Sequence, residues 1–142
     1  MRRAWINRLM VAALVIFTGL LAATPASAAD RHIYLAANGA NARSAVVEPR
    51  EAPISGDSTL FLSDMTWAQW TNRAKGTGMA ELNLCDPSCA AGKMVTVPVT
   101  VTLAEPEQAC GRDFFTTMQL ALVGAVPEGL SRFTSIPIAP IC

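Results

Sequence analysis

Val95, Val97, Val99, Val101 and Leu103 alternate with Thr96, Pro98, Thr100 and Thr102. A period of two held this long sends the aliphatic side chains to one face and the threonines to the other, which describes a β-strand with one buried and one solvated face. Pro98 has no N–H to give to a ladder, so the strand is expected at a sheet edge, or with Pro98 in a bulge. Other segments carry β signals too. Ser58 to Trp67 is rich in β-favouring residues, with Phe61, Met65 and Trp67 on its odd-numbered face, and Ala80, Leu82 and Leu84 alternate with Glu81 and Asn83. Phe114, Met118, Leu120 and Leu122 form one side of a further apolar segment, and Phe115, Thr117, Gln119, Ala121 and Val123 form the other. A helix is conceivable there, but Phe114-Phe115-Thr116-Thr117 favours strand and no capping box precedes it. Short strands are expected at His32 to Leu35 and at Arg132 to Ile138, the latter interrupted by Pro137. Five to seven strands separated by Gly, Pro and Asp turns predict a mainly β domain, a small antiparallel β-sandwich or barrel. The Cys-Trp-Cys order of an immunoglobulin domain is absent, because Trp67 and Trp70 both precede the first cysteine, Cys85.

The N-terminus sets the compartment. Arg2, Arg3 and Arg8 form a basic region, Leu9 to Ala23 is uncharged and apolar, and Ala26-Ser27-Ala28 is a small-x-small cleavage site. These are the parts of a cleavable signal peptide, residues 1–28, whose apolar run is too short to span a bilayer as a helix. Arg2-Arg3 fits a twin-arginine signal, but Ala4-Trp5-Ile6-Asn7 matches the rest of that pattern poorly, so the general secretory route is favoured. No cysteine lies near the cleavage site to carry a lipid anchor, and no stable membrane insertion is expected after cleavage. Cleavage leaves an irregular N-terminal segment, residues 29–56, with scope for disorder given Asn38-Gly39, Pro49, Pro53 and Ser55-Gly56, and then a β domain, residues 57–142. The signal removes three of eleven basic residues and none of the eleven acidic ones. A slightly acidic remainder gives no electrostatic reason to expect nucleic acid or an anionic membrane as partner.

In an exported chain four cysteines imply two disulfides. Cys85-Asp86-Pro87-Ser88-Cys89 has the composition of a tight turn, which favours Cys85 with Cys89 and Cys110 with Cys142. Cys89 with Cys110 is the main rival. Structural zinc sites show two short cysteine knuckles, and only one short pair exists here, so no metal is expected.

Catalytic signals are thin. The mature chain holds a single histidine, His32, and has no G-x-S-x-G elbow, H-E-x-x-H helix or Gly-rich phosphate loop, so no catalytic residue and no cofactor is assigned. Asp64, Glu81, Asp86, Glu105, Glu107 and Asp113 could serve a small carboxylate-dependent hydrolase, but scattered acidic residues are ordinarily solvated surface groups. Trp67-Ala68-Gln69-Trp70 is the candidate binding surface, since exposed indoles stack on sugars or peptides. Trp67 continues the apolar face of its strand and is expected in the core, whereas Trp70 has polar neighbours and is the better surface candidate.

Trp67-x-x-Trp70, Ala74-x-Gly76-x-Gly78, Asn83-x-Cys85-x-Pro87-x-Cys89-Ala90-x-Gly92, the Val97 to Leu103 alternation and Pro106 together resemble a group of small secreted actinobacterial proteins of unknown function. The likeness covers roughly Leu60 to Leu122 and implies a secreted β domain whose Cys85 and Cys89 form a local disulfide. Cys110 and Cys142 lie outside the pattern, which leaves pairing with each other as the simplest arrangement. The likeness brings no activity with it. The expectation is therefore a non-enzymatic secreted or cell-envelope domain that binds an unknown protein or envelope ligand. A secreted protease inhibitor is the alternative, presenting either Cys85 to Cys89 or the stretch between Gly124 and Ser131 as its exposed loop.

Overall fold

The computed structural model describes residues 32–37, 44–138, 140 and 142. The expected signal peptide, residues 1–28, lies outside the described residues. The strands are β1 (Ile33–Ala36), β2 (Ala45–Val46), β3 (Ala52–Pro53), β4 (Leu60–Trp70), β5 (Ala74–Asn83), β6 (Met94–Ala109), β7 (Arg112–Leu122) and β8 (Phe133–Pro137). They form one sheet in the order β2-β1-β7-β6-β5-β4-β3, with β8 also on β7. The outer edge of β7 is shared: β1 runs parallel beside Asp113 and Phe114, and β8 runs antiparallel beside Thr117 to Ala121. Of the two architectures expected, sandwich or barrel, the chain adopts a single sheet curled into a half-barrel. The N-terminal segment expected to be irregular contributes the three short strands β1, β2 and β3.

The curl follows from where the large side chains go. Leu35, Leu62, Val99, Val101, Leu103, Phe115, Met118 and Ile138 are at most 1% exposed and meet inside it. Each such side chain contributes about 1.5–3 kcal/mol when taken out of water. At one end Trp70 on β4 donates its indole N–H to the carbonyl of Ile33 on β1 at 2.7 Å, although three strands separate β4 from β1 in the sheet. Only a closed curl brings those two elements together.

The valine face of β6 points inward as its period requires, with Val97, Val99, Val101 and Leu103 all buried. The edge placement expected from Pro98 is corrected: β6 lies between β5 and β7, and its register with β5 is continuous through the Met79–Pro98 pair, so there is no bulge either. Pro98 is tolerated because its missing N–H faces the point where β7 ends. The Pro98 carbonyl still accepts from Val123 N–H at 2.8 Å, just past Leu122, so the ladder loses one terminal bond.

The phases expected for β4 and β7 also need correction. Leu60 and Leu62 face the core from even positions, while Met65 does so from an odd one, because Asp64 adopts φ 50 and the register with β5 shifts by one between Ser63 and Thr66. Phe61 therefore lies on the opposite face from Met65 and Trp67. On β7, Phe114 and Phe115 are both fully buried and project to opposite sides. Phe115 joins the core, and Phe114 packs beside Tyr34 of β1 with ring centroids 5.9 Å apart. Phe115 and Met118 both reach the core across an irregularity at Glu105, whose φ is 55 and whose carbonyl accepts the Thr116 hydroxyl at 2.7 Å.

Both favoured disulfides are present, Cys85–Cys89 with Cα atoms 3.8 Å apart and Cys110–Cys142 with Cα atoms 5.5 Å apart. Cys110 and Gly111 form the two-residue turn between β6 and β7, with φ 51 and 76, the backbone shape of a type I′ hairpin.

Candidate functional site

Trp67 and Trp70 are brought together, but toward the inside. Residues three apart on a regular strand point to opposite faces. A second one-residue shift between Trp67 and Gln69 reverses the phase again, so both indoles are half-buried and pack on the core. Their rings meet edge to face with centroids 4.7 Å apart, and Trp70 meets Phe115 the same way at 5.5 Å. Trp67 donates its indole N–H to Pro49 O at 2.9 Å, as Trp70 does to Ile33 O. Each amphipathic ring thus ties an N-terminal segment to the sheet. Gly76 pairs with Trp67 across the ladder, and a Cβ there would fall 2.7 Å from the Trp67 ring. Gly76→Val is expected to cost about 1–3 kcal/mol by forcing that ring out of place. Chemical denaturation of the two proteins measures it, and an unchanged midpoint would show that the ring yields freely.

The N-x-C-x-P-x-C-A-x-G stretch builds the β5–β6 connection. Asn83 accepts from Cys85 N–H through Oδ1 at 2.9 Å and donates Nδ2–H to Cys89 O at 2.7 Å, clamping both ends of the disulfide loop. Gly92 lies directly against that Oδ1, where a side chain would collide. Residues Asp86 to Ala91 stand exposed on this frame.

The six acidic candidates are spread out. Asp64 makes an exposed ion pair with Arg50 at 3.5 Å, an arrangement of little energetic weight. Glu81 lies on β5, Asp86 in the disulfide loop, Glu105 and Glu107 on β6 and Asp113 on β7. Asp113 lines a shallow recess with His32, Tyr34 and Arg112, the last stacked over the Tyr34 ring at 5.4 Å. No group of His, Cys, Asp and Glu poised for a metal occurs among the described residues, and no polar side chain among them is buried.

The open end of the half-barrel, opposite the tryptophans, holds the candidate site. A cleft of about 350 Å³ lies between the start of β4 and β8, walled by Leu60, Leu82, Leu120, Leu122, Leu130 and Ile136, with the Cys85–Cys89 bridge and Asp57 at its rim. On the other side of β8 is a recess of about 520 Å³ lined by Thr100, Thr102, Gln119 and Phe133. Phe133 is 73% exposed, the most exposed large apolar side chain among the described residues. No sequence pattern singles these residues out as a site. The strand around Phe133 is legible, but its position beside Leu60 exists only once the sheet has curled.

Asp57 gives this rim its fixed charge. Its Oδ1 accepts from the Thr59 hydroxyl at 2.7 Å and from Thr59 N–H at 3.1 Å. These bonds, with one from Ser55, hold its carboxyl below the ordinary value near 3.8. A lowered folded-state pKa contributes stability above the unfolded value that is lost as the pH falls through the folded one. Asp57→Asn is therefore expected to be slightly less stable than the parent at neutral pH, with the difference closing below the carboxylate range. Thermal unfolding of both proteins across acidic pH checks this, and a difference that widened in acid would contradict it.

No protein-family model, curated protein or solved structure matches this chain.

Proposed function

We propose that the mature chain is a secreted or cell-envelope binding domain, of the kind represented by the small secreted actinobacterial proteins it resembles, and that its ligand seats at the open end of the half-barrel. The observation that carries this reading is Phe133, held 73% exposed at the recess on one face of β8 with the apolar cleft on the other, and the one exposed Phe, Tyr or Trp among the described residues. Exposed apolar surface next to a concave wall costs solubility and is typically kept where a partner covers it. Export is supported by the two disulfides, which leave no free cysteine among the described residues.

Immobilised mature protein should retain a partner from envelope extracts that a Phe133→Ser variant of equal stability fails to retain. Equal retention by both, or none by either, would remove this reading. Intact mass of the exported protein, with and without reduction, should give an N-terminus at Ala29 and no alkylatable thiol before reduction.

A second reading, protease inhibition, is favoured by the loop Asp86 to Ala91, which is exposed and braced by both the disulfide and Asn83. A rigid loop of this kind binds at low entropic cost. No inhibition of a panel of secreted serine proteases at micromolar concentration would dispose of it.

A further inference from the structure

We propose that the free edge of β8 takes an extended peptide segment as an added strand, one whose inward-facing side chains are apolar and which carries a Lys or Arg beside them; this rests on the binding-domain reading above and names its ligand class. The phase of the β7–β8 ladder decides which backbone groups are free. Leu122 N–H donates to Arg132 O and Ile138 N–H to Thr116 O, both at 2.9 Å. With the register running through Leu120–Thr134 and Met118–Ile136, the even-numbered residues of this stretch exchange bonds with β7. The N–H and C=O of Phe133 and Ser135 therefore point away from β7, and among the described residues no strand receives them. Pro137 offers an acceptor only.

This edge divides two concavities. Thr134 and Leu120 line both the inner cleft and the outer recess, so β8 is the wall between them. A strand bonded to Phe133 and Ser135 would alternate its side chains across that wall. One set would enter the cleft against Leu60, Leu82 and Leu130, and the other would lie beside Phe133. Asp57 is the single charged residue lining the cleft among the described residues, so a cationic side chain of the ligand finds its complement there.

Two β8 edges paired antiparallel about Ser135 would set Phe133 of each against Pro137 of the other, where the proline ring occupies the place of a donor. Paired about Thr134 they would match Phe133 with Ser135 and leave the proline outside the paired stretch. A concentration-dependent dimer in sedimentation that the selected peptides fail to dissociate would therefore overturn the peptide as the occupant of this edge.

The probe is a displayed library of random-sequence peptides selected on the oxidised mature protein. Enriched peptides should alternate apolar and polar residues with Lys or Arg near the apolar positions. Their binding should slow amide exchange at Phe133 and Ser135 at least tenfold. Ser135→Pro, which removes an outward donor without touching the β7 ladder, should weaken binding at least tenfold at unchanged melting temperature, while Ser135→Ala should not. N-methylation of alternate peptide amides should abolish binding.

Absence of enrichment would overturn the proposal. So would enriched peptides that protect amides elsewhere, or that bind equally well when N-methylated. If such peptides still depended on Phe133, the binding-domain reading would stand and strand addition alone would fall.

Discussion

Trp70→Ala is expected to lower the unfolding free energy by about 3 kcal/mol, the low end of the cost of deleting a large aromatic from a core, because the ring is only partly buried. Three contacts converge on this ring. It lies edge to face with Trp67 and with Phe115, and its indole N–H satisfies the Ile33 carbonyl. Loss of the ring opens the closed end of the curl and frees β1 from β4. Trp70→Phe separates the two contributions: it keeps most of the apolar volume and strands the Ile33 carbonyl, a cost of about 1–3 kcal/mol. Urea denaturation of the parent and both variants gives the comparison. A Trp70→Ala loss below about 1 kcal/mol, within the range of ordinary surface substitutions, would mean that the ring is peripheral and that the curl is held elsewhere. Amide exchange in β1 provides a second readout, since Ile33 to Leu35 should lose protection in Trp70→Ala before β5 and β6 do.

That role of Trp70 also marks where sequence patterns stop being informative. The strand at Val95 to Leu103 is legible because one period runs through it without interruption, and the buried face follows that period residue by residue. The chemistry of Asp86-Pro87-Ser88 likewise makes the Cys85–Cys89 bridge legible. In β4 the period breaks twice, and the breaks are backbone events at Asp64 and near Ala68. Nothing in the composition of Ser63 to Gln69 announces them, so the pattern groups Phe61 with Met65 and puts Trp70 on the surface. Pro98 misleads for a related reason, since its rule concerns a missing donor, and whether that donor matters depends on where β7 ends. The candidate site is the least legible part. Leu60 and Leu82 pair across the β4–β5 ladder, but Leu130 and Ile136 come to face them only through the curl, and the exposure of Phe133 on the other side of β8 has no local signature.

Removing the Cys110–Cys142 bridge by paired serine substitutions is expected to cost about 3.5 kcal/mol in the chain-entropy account, against about 2 kcal/mol for Cys85–Cys89, because the loop closed is longer. The sequence separations are 32 and 4. The longer loop also contains what the candidate site depends on. It starts at the β6–β7 turn, runs through all of β7 and β8, and ends after Ile138, which is 1% exposed in the core. Among the described residues β8 is bonded on one side only, so its order relies on the pairing with β7 and on how firmly the chain beyond it is held. Without the bridge, amide protection at Thr134 and Ile136 should fall well before that of β5 and β6, which are flanked on both sides. Loss of Cys85–Cys89 should instead loosen Leu84 and the exposed loop, where the Asn83 clamp remains to limit the damage. Denaturant midpoints of the two double variants, read beside residue-level exchange, test the ordering. If the Cys85–Cys89 variant proved the less stable, loop length would not govern the ranking, and the short bridge would act by holding the β5–β6 connection in its folded shape. If the Cys110–Cys142 variant kept β8 protected, the strand would owe its position to the Ile136 and Ile138 side chains alone, and the edge would be a rigid part of the sheet independent of oxidation.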